Sequence, residues 1–252
     1  MNLDAWDFVF FVVVLAQSTC VAYLKSPGSK AFAMTLPIPL TFGVLALGQP
    51  INATHVGGLL TGALYIFLIY LLHARLRVPI VLTIIIGISV YCIVGTCAGR
   101  LLPRTPAAFW GMIGLSGVLA AALLVMLPNR VEPGHRSSLP VWLKLPALAL
   151  IIICLLLLKG TLHGFMTTFP IIGIIAAYEA RHSLWTVFQR FTAFIAGGTS
   201  MLATARILGP HVTLGAAIAV GWLPFCLVMY VAYRGFYTSP SVAAPEPADG
   251  PS

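Results

Sequence analysis

Apolar residues in this chain run in long blocks, separated by short breaks rich in charge, proline or glycine. A bilayer core of roughly 30 Å takes about 20 apolar residues per helix, and backbone at that depth must be hydrogen-bonded internally. Each block therefore reads as a membrane-spanning helix. The pattern predicts about nine spans, at 9–23, 31–47, 56–72, 78–98, 107–127, 139–158, 162–178, 184–205 and 212–233. The breaks at 100–106 and 128–138 read as loops from their Pro, Gly and charge content, and the second is the better boundary between two halves. The stretch 238–252 has no apolar periodicity and reads as a disordered cytoplasmic tail.

Composition agrees with this layout. The 252 residues are 60% hydrophobic and only 8% charged, with a mean hydropathy of +1.00. Too little polar surface exists to coat a soluble core, so the expected fold class is an all-α polytopic transmembrane bundle. The net charge of +8 does not point to nucleic acid, because the basic residues stand singly between apolar runs. The acidic start, with Asp4 and Asp7, lacks the basic region and cleavage site of a signal peptide, so the first run is expected to be retained. Cys20, Cys92, Cys97, Cys154 and Cys226 fall inside apolar runs without CxxC spacing and are expected to pack as small buried hydrophobes.

Counting Lys and Arg on alternate sides of nine spans assigns an orientation. Lys25, Lys30, Arg75, Arg77, Arg130, Arg136, Lys144, Arg181, Arg190 and Arg234 collect on one side, and Arg100, Arg104, Lys159 and Arg206 on the other. The positive-inside rule then places the N-terminus outside and the C-terminus in the cytoplasm. An eight-span arrangement with one segment re-entrant would spoil this count.

Thr35-Leu36-Pro37 in the second span matches Thr168-Phe169-Pro170 in the seventh, each preceded by small residues and a Phe. Five spans apart, the two copies would enter the membrane from opposite sides. Residues 1–100 and 139–237 would then form an inverted pair joined by span 107–127, an arrangement used by transporters whose interrupted helices line a midplane site. The plain alternative is that Thr caps a helix and Pro fits its first turn.

Ionisable groups in a bilayer are costly, so position decides their meaning. Glu179 is the one acidic residue read as lying close to a span, beside Arg181 and His182, with Gln189 and Arg190 following. It is either an ion site partnered by Arg190 or an interfacial ion pair that fixes a tight turn. His163 and Thr167, spaced i and i+4, would share a helix face extended by Pro170, offering a proton relay or a solvated interfacial imidazole. Ala196, Ser200 and Thr204 form a stripe across Gly197-Gly198, suited to close packing or, if the helix unwinds there, to ion coordination. Asn52-Ala-Thr54-His55-Val-Gly57-Gly58 poses the same choice, with an ordinary helix cap as its plain reading. No metal-ligand spacing, nucleophile elbow, phosphate loop or paired carboxylates occur in the sequence, so neither a metal nor any other cofactor is expected, and an enzyme is not the leading expectation.

The segment from His163-Gly164 through Phe169-Pro170 to Ala176-Ala177-Tyr178, with a charged turn and then Gly198 and Ser200, resembles the GlpM-like family of small bacterial inner-membrane proteins. The likeness covers 159–208 and departs in Glu179 and Arg181 after the tyrosine. It implies a bacterial inner-membrane location and a compact helical unit shorter than this chain, and it brings no list of catalytic residues.

The function expected from these readings is a permease or secondary transporter of a small solute. His163, Thr167, Pro170, Glu179, Arg190 and Ser200 are the candidates in the second half, and Thr35 with Pro37 in the first. The alternative is a non-catalytic membrane subunit that scaffolds an envelope or polysaccharide assembly partner. Expected partners are the lipid bilayer, a small solute, and a second copy or another membrane protein.

Overall fold

The computed structural model describes residues 5–130, 132 and 141–237, the side chains of 141–145 and 147 excepted. Among them there is no strand, and the helices are α1 (Ala5–Tyr23), α2 (Pro27–Met34), α3 (Ile38–Leu47), α4 (Ala53–Ile69), α5 (Ile80–Leu101), α6 (Pro106–Met126), α7 (Val141–Leu162), α8 (Ile171–Glu179), α9 (Leu184–Leu208) and α10 (Leu214–Phe236). A π-helical turn, Tyr70–Arg75, prolongs α4, and a 3₁₀ turn, His163–Thr168, follows α7. The expected tail at 238–252 lies outside the described residues.

Eight helical stretches among the described residues are long and apolar enough to cross a membrane, α2 with α3 counting as one and Leu148–Thr168 as another. The chain is a multi-pass membrane protein. Their starts carry the expected end chemistry. Ser26 caps α2 ahead of Pro27, Asn52 accepts from the Thr54 N–H and His55 Nδ1 from the Asn52 N–H, and Thr105 and Thr213 cap α6 and α10. The plain cap reading of the Asn52 segment therefore holds.

One expected helix is not continuous. Over 162–178 the chain forms the 3₁₀ turn, an extended Phe169-Pro170 link and α8. The cause is local: His163 adopts a left-handed backbone with φ of 49°, which ends α7, and Pro170 has no N–H with which to continue a helix. At nine residues, α8 by itself is about 13.5 Å long, less than half a bilayer core.

Of the eight membrane-length stretches, those of α4 and α9 are the most enclosed, each 61% buried over its most apolar window, against 17% for α6. Glycines set how closely their neighbours approach. Gly62 of α4 receives the Phe191 ring of α9, Gly197 of α9 receives the Phe225 ring of α10, and Gly87 of α5 receives Tyr65 of α4. Around this pair, α6 packs against both, and its Ser116 hydroxyl lies 2.7 Å from that of Thr199 on α9. On the other side α1 packs against α3, α7 and α8.

At Gly197-Gly198 the chain takes the close-packing alternative: helix α9 is unbroken from Leu184 to Leu208, and Ser200 donates back to the Gly197 carbonyl at 2.7 Å. The residues of the stripe change. The buried stripe is Gly197, Gly198, Met201 and Ala205 rather than Ala196, Ser200 and Thr204, because the glycines admit Phe225 and Leu59 onto the backbone. The cysteines are also placed differently. Cys20, Cys97, Cys154 and Cys226 are exposed and Cys92 is half-buried, so four of the five thiols face outward where lipid would lie.

Candidate functional site

Segments 27–47 and 163–179, the two stretches carrying Thr-x-Pro, are the places where the helical backbone is interrupted inside the bundle. They pack against each other in opposite directions. Lys30 at the start of the first lies beside Glu179 at the end of the second, Met34 approaches Gly173, and Gly43 approaches Thr167. A Cβ on Gly43 would stand 2.9 Å from the Thr167 Cα, so the two backbones touch there.

Neither threonine caps the helix that follows it. Thr35 Oγ1 donates back to the Phe32 carbonyl at 2.9 Å, Thr168 Oγ1 lies 3.1 Å from the Tyr91 hydroxyl, and the N-cap positions of α3 and α8 are Pro37 and Pro170 without a side-chain bond. The plain capping alternative is thereby set aside. What the breaks do is free backbone carbonyls, which must be satisfied within the protein. Gln17 of α1 donates to the Ala33 carbonyl at 2.8 Å, and Tyr91 of α5 donates to the Phe165 carbonyl at 2.8 Å.

Around the crossing lies a cavity of about 40 Å³, reached by Met34, Leu40, Thr167, Thr168, Pro170 and Phe191. Thr167 and Thr168 are the polar side chains of an otherwise apolar lining. A space of this size holds a water or a small ion.

His163 and Thr167 do not share a face as expected. In a 3₁₀ turn with three residues per turn, positions four apart diverge. Thr167 is buried and donates to the Gly164 carbonyl at 2.7 Å, whereas half-buried His163 lies against Gly99 of α5. Between them Gly164 is pressed onto the start of α4, where an added Cβ would stand 2.5 Å from the His55 backbone nitrogen. The glycine face of α4, Gly57 and Gly58, accepts Phe165 in the same contact.

Glu179 is 1% exposed and its neighbour is Lys30, also 1% exposed. The Lys30 ammonium donates to the Glu179 main-chain carbonyl at 2.9 Å and lies 3.9 Å from the carboxylate. This joins the two broken segments across 149 residues of sequence, which differs from both a local turn pair and a partnership with Arg190. The guanidinium of Arg190 instead stacks on Tyr237 at 3.9 Å and on Tyr233 at 4.7 Å.

Asp7 corrects the expectation that Glu179 is the only acidic residue close to a span. Helix α1 reaches back to Ala5 at least, earlier than the apolar run suggested, so Asp7 falls within it and is buried. Lys159 at the end of α7 donates to its carboxylate at 2.7 Å. Glu132 was likewise not anticipated: its carboxylate accepts from the Trp185 and Thr186 N–H groups at 3.3 and 2.6 Å, capping α9 from a distance where Ser183 does not. Gln17 and Tyr91 carried no sequence signal, since each is a single polar residue within an apolar run. No cluster of three metal-ligating side chains occurs among the described residues. Comparison with protein-family models, curated proteins and solved structures finds no match to this chain.

Proposed function

We propose that this chain is a bacterial inner-membrane permease for a small solute, working by alternating access where segments 27–47 and 163–179 cross. The carrying observation is that two proline-interrupted segments pack antiparallel inside the bundle with a cavity between them. In this reading the chain crosses nine times. Six 3₁₀ residues at about 2.0 Å and nine α-helical residues at about 1.5 Å span roughly 25 Å, most of a bilayer core. The ion pairs support the count: Asp7–Lys159 puts the end of α7 level with the start of α1, and Lys30–Glu179 puts the end of α8 level with the start of α2. The N-terminus is then outside and the C-terminus cytoplasmic, in keeping with the basic residues.

An inverted repeat is part of the proposal, and the supporting side chains favour it. Tyr91, on the fourth traverse, braces the second broken segment and stacks edge-on with Phe169 at 5.2 Å. Tyr233, on the ninth, stacks edge-on with Phe32 of the first at 5.5 Å, its hydroxyl near Thr35 without closing a hydrogen bond. Such an exchange of bracing tyrosines between halves follows from a two-fold relation. Kinship with the GlpM-like family, and the absence of catalysis, belong to the same reading and rest on the sequence.

The cavity is too small for a solute, which suits an occluded resting state and equally suits the competing reading of a static scaffold. In a cysteine-free background, Thr35→Cys and Thr167→Cys should each react with a membrane-impermeant maleimide in both right-side-out and inverted vesicles. Reaction from neither side favours the scaffold. As single cysteines, position 182 should label from the cytoplasmic face and position 211 from outside; the reverse would overturn this orientation, and labelling of both from one face would overturn the crossing of α9 between them.

A further inference from the structure

We propose that the inner-leaflet end of α10 carries a binding site for one anionic phospholipid. The head of the site is a cavity of about 310 Å³ formed by Arg190, Arg234, Tyr230, Tyr233 and Tyr237, with Gly28 as its floor. Arg190 is preset there. Its guanidinium is held between the Tyr237 and Tyr233 rings, and its buried Nε has no hydrogen-bond partner in the protein. Tyr237 is fixed in turn, donating to the Gln189 carbonyl at 2.8 Å, so the cationic edge is held without being neutralised by its neighbours. Arg234 stands over Tyr230 with its guanidinium 5.3 Å from the ring, adding a second positive charge to the same mouth.

The head cavity neighbours an apolar one of about 360 Å³, with Tyr230 and Tyr233 bordering both. That groove runs between Phe32 and Leu36 on one side and Met229, Cys226, Phe225 and Trp222 on the other. Its outward faces are open: Phe32 is 47% and Tyr230 57% exposed. From Arg234 to Trp222 the helix covers twelve residues, about 18 Å, close to the roughly 15 Å hydrocarbon depth of one leaflet. Trp222 closes the deep end, its indole N–H bonded to Thr41 Oγ1 at 3.0 Å. A phosphate held by two arginines with an acyl chain along the groove satisfies both halves of the site, whereas a free anion would leave the apolar half uncovered. The site lies on the flank of the bundle and does not depend on transport; only its assignment to the inner leaflet rests on the orientation proposed above.

The test uses the purified full-length protein in detergent, titrated with phosphatidylglycerol, phosphatidylcholine or inorganic phosphate and followed by native mass spectrometry. Phosphatidylglycerol should remain bound at least tenfold more tightly than phosphatidylcholine, and millimolar inorganic phosphate should not displace it. Arg190→Gln should weaken retention tenfold or more. Arg234→Gln, at an exposed position, should weaken it in the same sense, and Cys226→Trp should do so by filling the groove. Equal retention of the two lipids, displacement by phosphate alone, or unchanged retention in Arg234→Gln and Cys226→Trp would overturn the proposal.

Discussion

Segments 27–47 and 163–179 share a Thr-x-Pro break and differ in how each is held. The first keeps α-helix on both sides of the break, α2 and α3, and relies on one amide, Gln17, for its freed carbonyl. The second gives up α-helix before the break for a 3₁₀ turn, and is wedged by Gly164 and Phe165 into the glycine face of α4, with Tyr91 across it. The same Thr-x-Pro break thus lies in a kinked helix in the first segment and follows a tighter, longer-pitched turn in the second, where Gly164 is pressed onto the backbone at the start of α4. Because 3₁₀ residues rise about 2.0 Å rather than 1.5 Å, the second segment gains reach from the change.

The ion pair joining the two segments gives the largest expected effect. Glu179→Ala leaves the Lys30 ammonium buried without its carboxylate and should cost about 3–5 kcal/mol, while the double change Lys30→Met with Glu179→Met should cost much less. Denaturation in graded SDS measures both. A double variant as unstable as the single one would show that the pair contributes more than mutual neutralisation.

Next in size is the wedge of the second segment. Gly164→Ala drives a methyl group into the His55 backbone and the Thr54 side chain, and should destabilise by about 1–3 kcal/mol. Gly160→Ala, four residues earlier in α7 with open space around it, should leave the SDS midpoint unchanged or raise it slightly. Equal effects at the two glycines would mean that backbone contact does not hold the second segment.

Smallest is the bracing of the carbonyls. Tyr91→Phe removes the bond to Phe165 and the contact with Thr168, and should cost roughly 0.6–2 kcal/mol. Gln17→Leu should cost no more than that, since the Ala33 carbonyl keeps company with a half-buried surface on α2. If Gln17→Leu proved the costlier of the two, the first segment would be the more dependent on side-chain support, reversing the contrast drawn above.

Much of this layout was readable along the chain. Long apolar blocks located the crossing helices, Thr35-Leu36-Pro37 and Phe169-Pro170 marked both interruptions, and Asn52 announced the start of α4. Hydropathy alone misplaces two helix starts that end chemistry locates. Starting α1 at the first unbroken apolar run left out Asp7, and starting the second span at Ala31 passed over the Ser26-Pro27 signature that begins α2. The i, i+4 pairing of His163 with Thr167 assumed an α-helix, and only the left-handed His163 backbone reveals the 3₁₀ turn. The fold as a helical bundle was therefore legible, and the environment of each candidate residue largely was not.

The amino-acid sequence by itself determined that this protein lies in a membrane, that its backbone is helical, and where that backbone must break. These follow from local causes: the cost of apolar surface in water, of unpaired amides in lipid, and of proline inside a helix. Only the tertiary structure decided that Lys30 answers Glu179, that Lys159 answers Asp7, that Arg190 stacks between tyrosines, and that the two interrupted segments lie against each other. Those partners are separated by as many as 152 residues, and no local periodicity encodes them. They are chosen by which helix faces can approach closely enough, and in this bundle the glycines of α4, α9 and the 3₁₀ turn set that approach.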